Sequence, residues 1–203
     1  MRTTILLLAA ICCAAIGFVD IGLADPDDGT NGGLGEDVLI EDSGNVSSLN
    51  ISGLYPTGFF GVAKTVKFTP TKSNWILDSV LILGWDGFVV NETLPVERVI
   101  SMEVRDENLN LLYRFTDSQL PYFHFSGTPG IAKIELPPIT INGDFYVCFY
   151  DRGAVKVAWD QNEVSGNSYF FDTFSKELIP AAFFIEDSED PVPVNWLIRA
   201  VGH

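Results

Sequence analysis

The 203-residue sequence predicts an all-β fold, a β-sandwich of about ten strands, on three observations. Apolar residues recur at every second position, the pattern of a strand with one buried face. Clusters of Pro, Gly, Asn and Asp interrupt these runs at short spacing. No segment keeps a helical period for three turns.

The first run, residues 62–68, stops at the breaker cluster Thr69-Pro-Thr-Lys-Ser-Asn74, and the second covers 75–83. Residues 100–105 alternate most cleanly, with Ile100, Met102 and Val104 expected inward and Ser101, Glu103 and Arg105 outward. Asp106-Glu-Asn108 makes a turn, and Leu109, Leu111, Tyr113 and Phe115 face inward on the return strand of a β-hairpin. Further runs lie at 131–136, 145–150, 154–159, 168–172, 181–185 and 196–201. This number of strands, with some long connections, favours a jelly-roll or related Greek-key topology over a seven-strand immunoglobulin arrangement, which takes about 100 residues. The sandwich is expected to occupy residues 58–203.

Charge excludes one class of partner. With 12 Lys+Arg against 27 Asp+Glu the formal net charge is −15, which repels nucleic acid and anionic membranes. Hydrophobic residues make up 47% of the chain and charged residues only 19%, so the acidity belongs to a core-forming protein rather than a disordered one.

The start of the chain predicts export. Arg2 supplies a positive charge, residues 5–19 form an apolar or small run, and Gly22-Leu-Ala24 offers small residues for a signal peptidase. Cleavage is expected after Ala24, making 1–24 a signal peptide. The rival reading is a retained anchor, for which the run falls short of the roughly 20 residues that span a bilayer. A lipid-modified cysteine is disfavoured, because Ile11 precedes Cys12 where a small residue is required. Cleavage removes Cys12 and Cys13 and leaves Cys148 alone, so no internal disulfide is expected and the core must supply the stability. Cys148, in an apolar run, reads as a small buried hydrophobe.

Residues 25–57 are rich in Asp, Gly, Asn and Ser and read as a flexible acidic segment. Gly32-Gly-Leu-Gly-Glu-Asp37 matches a calcium-binding nonapeptide repeat, but no second copy follows. Asp25-Pro-Asp-Asp-Gly29 fails the EF-hand pattern in the position of its glycine. Asn45, Asn50 and Asn91 each begin an Asn-X-Ser/Thr triplet and are candidate glycosylation sites on an exported chain.

Toward the other end, Phe145-Tyr-Val-Cys-Phe-Tyr-Asp-Arg152, Gly166-Asn-Ser-Tyr-Phe-Phe171 and Asn195-Trp-Leu-Ile-Arg-Ala200 resemble the closing strands of secreted jelly-roll-like modules of archaeal and bacterial surface proteins. The resemblance implies such a fold for roughly 58–203 and assigns no catalytic residue. Alternation sets Arg199 on the face opposite Trp196, and if that face is covered the guanidinium needs a carboxylate partner.

Catalytic constellations are sparse. His124 and His203 are the two histidines, and neither stands in a nucleophile elbow or dyad signature. Zinc chemistry lacks His and Cys ligands. Glycoside hydrolysis needs two carboxylates, but the acid clusters Asp106-Glu107 and Glu186-Asp-Ser-Glu-Asp190 lie in turns rather than at alternate positions of one strand. The expectation is therefore no enzyme, with a glycoside-active enzyme as the remotest alternative.

Two readings of different class remain. The first is a secreted or cell-surface non-catalytic β-sandwich of structural or adhesive type, with a cell-envelope protein as partner. The second is a carbohydrate- or calcium-binding module. Its candidate stacking residues are Trp85, in Gly84-Trp-Asp-Gly87, and Tyr122; its candidate ligands for a structural calcium are Asp160, Asn162 and Asn167 in the loop 160–167. Trp75, Trp159 and Trp196 fall on strands and are expected in the core.

Overall fold

Residues 36–44, 53–57, 61–89, 97–185 and 188–203 are described by a computed structural model. The signal segment and the three candidate glycosylation sites lie outside them. The described residues form no helix and fifteen strands: β1 Asp37–Leu39, β2 Gly53–Tyr55, β3 Val62–Phe68, β4 Trp75–Trp85, β5 Val99–Asp106, β6 Leu111–Ser118, β7 Gly130–Ile141, β8 Phe145–Tyr150, β9 Lys156–Asp160, β10 Ser168–Asp172, β11 Glu177–Pro180, β12 Ala182–Phe183, β13 Val192–Pro193, β14 Asn195–Trp196 and β15 Ile198–Gly202. Every predicted run contains strand. The increase over ten comes from the short pieces β1, β2, β11 and β13 and from the break at Leu197 that divides β14 from β15.

All strand pairs are antiparallel, and they build a β-sandwich. One sheet runs β11-β10-β3-β8-β5-β6. The other runs β1-β15-β4-β9-β14, with β7 on the free side of β4 and β2 added to β9, while β12 and β13 form a separate ribbon. Consecutive strands mostly alternate between sheets, so the short connections cross the ends of the sandwich. At one of them Asp151 O accepts from Ala154 N at 2.7 Å. Arg152 and Gly153 carry successive positive φ values of 50° and 72° in that turn, a conformation that glycine adopts without steric cost.

The inner faces make one core. Val66, Phe68, Ile100, Met102, Val104, Phe145, Val147 and Phe149 of the first sheet meet Trp75, Leu77, Val80, Ile82, Ile134, Trp196, Ile198 and Ala200 of the second. Each Val, Leu, Ile, Met or Phe among them contributes about 1.5–3 kcal/mol by leaving water. A bulge near Asp78 lets both Leu77 and Val80 point inward despite their odd spacing. Gly202 ends β15 against the Ile76 carbonyl and the Trp75 ring, where any Cβ would collide, so only glycine allows this approach.

Three expectations need correction. Ser101, Glu103 and Arg105 do lie on the outer face of β5, yet all three are buried. The cause is β8, apolar on both faces: Tyr146, Cys148 and Tyr150 build a second cluster with Ala63 and Phe171 on the outside of the sheet. Arg105 roofs it, its guanidinium 4.9 Å from the centre of the Phe171 ring. Leu109, expected inward, takes φ +63° in the turn and packs against this outer cluster instead. Leu111 is exposed, because the bulge between Val104 and Arg105 shifts its register.

The segment expected to be flexible contributes β1 and β2. Asp37–Leu39 pairs with Ala200–Gly202, and Gly53–Tyr55 pairs with Val157–Trp159. Short apolar pieces, Val38-Leu39-Ile40 and Leu54-Tyr55, supply the reason inside a polar composition.

Cys148 is fully buried, and desolvation pushes its thiol up to about 12, so it stays protonated at physiological pH. Cys148 of the native protein is expected to resist a thiol reagent over minutes and to react once the chain is unfolded in guanidinium, as read from its labelled peptide. Rapid labelling of folded protein would show that the outer face of the sheet opens.

Candidate functional site

Gly84 prepares the site at the end of β4. A Cβ there would lie 2.8 Å from Phe123 and 2.9 Å from Val155, so the absent side chain lets the loop after β6 dock. Gln119 anchors that loop, accepting from Tyr122 N at 3.0 Å and Phe123 N at 2.7 Å through its carbonyl. Phe123 enters the core against Phe149, and Tyr122 is left beside Trp85. The result is a hollow of about 80 Å³ lined by Trp85, Asp86, Tyr122, His124 and Thr128 among others. That is far below the roughly 300 Å³ at which pockets begin to enclose small ligands, so the hollow offers a stacking ledge rather than a chamber.

Both candidate aromatics therefore reach one place, each already held. Trp85 is half-buried, donates its indole N–H to Ser126 O at 2.8 Å and lies 5.2 Å beneath Lys156 Nζ. Tyr122 packs edge-on against Phe115 at 5.5 Å and donates to Asp117 Oδ2 at 3.2 Å. Burial, followed by that carboxylate, raises its hydroxyl above the ordinary tyrosine value. Asp86 and His124 line the hollow too, although sequence reasoning singled out neither as a ligand. Asp86 stands inside the same Gly-Trp-Asp-Gly motif; its Oδ1 accepts from Phe88 N at 3.0 Å, while Oδ2 is buried without a hydrogen-bond partner.

The three candidate calcium ligands are directed differently. Asp160 is fully buried: Oδ1 accepts from Asn195 Nδ2 at 2.9 Å, and Oδ2 from Ser43 Oγ at 3.0 Å. Asn162 offers its backbone carbonyl to the same Asn195 amide at 3.0 Å, and Asn167 donates to Glu41 Oε2 at 2.7 Å. The loop thus binds the acidic segment 41–44 to β9 and β14. Among the described residues no group of three or more His, Cys, Asp or Glu is arranged to hold a metal ion.

Asp42 in this segment is the carboxylate that Arg199 requires. The pair is bidentate, at 2.9 Å from Nε and 2.7 Å from Nη2, and largely buried. Two further charged clusters lie deep in the fold. On the outer face Glu103 accepts from Arg105 at 2.7 Å, Arg114 at 2.6 Å and Tyr150 at 2.9 Å. Between the sheets Lys64 Nζ contacts Asp151 Oδ2 and donates to Thr57 Oγ1 at 2.7 Å, with both ionisable side chains wholly excluded from solvent.

Burial pushes the Glu103 carboxyl up, but the hydrogen bonds from Arg105, Arg114 and Tyr150 together outweigh it and hold the group below its ordinary value. A depressed carboxyl stabilises the fold above its unfolded value, near 4.3, and loses that contribution as pH falls through the lower folded one. Stability from urea midpoints is expected to drop on acidification from about pH 6 to pH 3, with a shallower drop in Glu103→Gln. At neutral pH that variant is expected to lose about 1–3 kcal/mol, because Arg105 keeps its burial and loses its charged acceptor. Equal acid limbs in the two proteins would remove Glu103 from the balance.

No family model, characterised protein or solved structure matches the chain.

Proposed function

We propose that the chain is a secreted or cell-surface β-sandwich whose role is structural or adhesive rather than catalytic. The observation that supports this best is the use made of buried polar groups: three of the buried contacts tie segments of chain that are far apart in sequence. Asp42 reaches Arg199 across 157 positions, Ser43 reaches Asp160 across 117, and Lys64 reaches Asp151 across 87. Such groups act as struts. Fractionation and protease shaving of intact cells test the reading, together with the first residue of the recovered protein. Recovery outside the cell beginning at Asp25 is the expected result, and a protein retained in the cytoplasm with residues 1–24 intact overturns it.

A second reading, carbohydrate recognition at the ledge, rests on the buried and unpartnered Asp86 Oδ2 beside two aromatic rings. Sugars are held by this combination of ring faces and hydrogen-bonding carboxylates. On a glycan array, binding lost at least tenfold in both Trp85→Ala and Tyr122→Ala would favour it. An array without signal, with a melting temperature unmoved by calcium or EDTA, rejects the whole binding-module reading.

A further inference from the structure

We propose that Lys64 and Asp151 condense in the folded protein into an intramolecular isopeptide bond, joining β3 to the residue that follows β8 and releasing one water.

The two groups meet in a site that disfavours them as ions. Both side chains are fully buried, and Nζ and Oδ2 are in direct contact. Around the amine stand the Tyr55 and Trp196 rings, with centres 5.7 Å and 5.6 Å from Nζ. Phe170 packs edge-on against Trp196 and Phe183 packs tilted against Tyr55, which widens the apolar wall. An ion pair taken from water into such surroundings loses hydration that mutual attraction repays incompletely. Desolvation drives the lysine well below its ordinary value, toward the free amine, which is the nucleophilic form. Transfer of a proton within the pair gives amine and carboxylic acid at no change in total charge.

The carboxyl is already polarised. Thr57 N donates to both of its oxygens at 3.0 Å, and Gly153 N donates to Oδ1 at 2.8 Å. These backbone donors face the oxygen on which negative charge develops when nitrogen adds to Cγ. The Nζ lone pair forms the C–N bond, and the Cγ–Oδ2 bond breaks. Oδ2 leaves as water with the carboxyl proton and one amine hydrogen, and the other hydrogen remains as the amide N–H. Nothing is oxidised or reduced. Fixed contact between the partners replaces a bimolecular encounter, and exclusion of solvent opposes the reverse hydrolysis.

Hydrogen bonding favours the product. A lysine ammonium has three hydrogens to place, whereas the geometry offers it two acceptors, Thr57 Oγ1 and Asp151 Oδ2. In the amide the count closes: the single N–H keeps Thr57 Oγ1, and the carbonyl oxygen keeps the Thr57 and Gly153 amides.

Peptide mapping of the purified full chain by tandem mass spectrometry tests the bond, on a sample whose sharp thermal transition shows it folded. A branched peptide containing Lys64 and Asp151, lighter by one water than its two parts, is the expected result. It should persist through denaturation and be absent from Lys64→Met, which has no amine. Separate linear peptides carrying unmodified Lys64 and Asp151 from folded protein would overturn the proposal.

Discussion

Measured against the uncondensed pair, Asp151→Ala is expected to lower stability by about 3–5 kcal/mol, read as a large fall in the urea midpoint at unchanged slope, and against the condensed protein the loss of the crosslink adds to this and changes the slope. The carboxylate has two fully buried partners, the Thr57 amide and the Lys64 amine, and a third, the Gly153 amide, at the partly buried edge of the site. Truncation strands the Thr57 amide and the Lys64 amine in a site that excludes solvent. The cost should depend on pH. Burial disfavours the Lys64 ammonium, so without its partner the fold binds fewer protons than the unfolded chain and the variant gains stability as pH rises toward the unfolded lysine value near 10.4. The pair Lys64→Met with Asp151→Asn is expected to recover most of the loss. Methionine fills the aromatic enclosure without a charge, and the asparagine oxygen still accepts from Thr57 and Gly153. A single variant as stable as the parent would show that the amine finds another acceptor.

Trp196→Ala is expected to be of similar severity, about 3–5 kcal/mol. The ring is fully buried, lies 5.3 Å from Phe170 and 5.8 Å from Phe183, and donates its N–H to Tyr169 O at 3.1 Å. It stands where β14 meets β9 and also walls the Lys64 enclosure, so its loss opens a cavity beside a buried polar group. Water entering that cavity would hydrate the lysine. Near-ultraviolet circular dichroism should lose intensity even below the melting transition, whereas Trp85→Ala at the surface ledge should cost under about 1 kcal/mol. A small loss at Trp196 would mean that neighbouring rings collapse into the space.

The strands were legible because apolar runs, alternating or continuous, and the breakers that bound them are local signals. Val62–Phe68, Phe145–Tyr150 and Ser168–Asp172 keep the bounds that period and breakers predict. Burial on the outer face was not legible, because Glu103 and Arg105 look solvated until β8 brings Tyr150 and Cys148 beside them. The docking of Glu41, Asp42 and Ser43 was hidden for the same reason. Their partners Asn167, Arg199 and Asp160 lie more than a hundred positions away, and composition there suggested only flexibility. Arg199 announced its need for a carboxylate without indicating which. Trp85 and Tyr122 were found as separate loop aromatics; that they share a hollow with Asp86 depends on the docking of Phe123 over Gly84.

The position of β15 has a kinetic consequence. It lies between β1 and β4, yet it is the last strand described, and β1 is the first. A nascent chain lacking residues 198–202 therefore leaves one side of β4 uncovered over most of its length and has nothing to hold β1, the first of the described strands. Folding must wait for contacts of very high sequence separation, which places it among slow-folding β topologies, on the order of milliseconds to seconds. Once β15 is in place it holds β1 through Leu39–Ala200, Val38–Val201 and Asp37–Gly202, so the first and last of the described strands become ordered together.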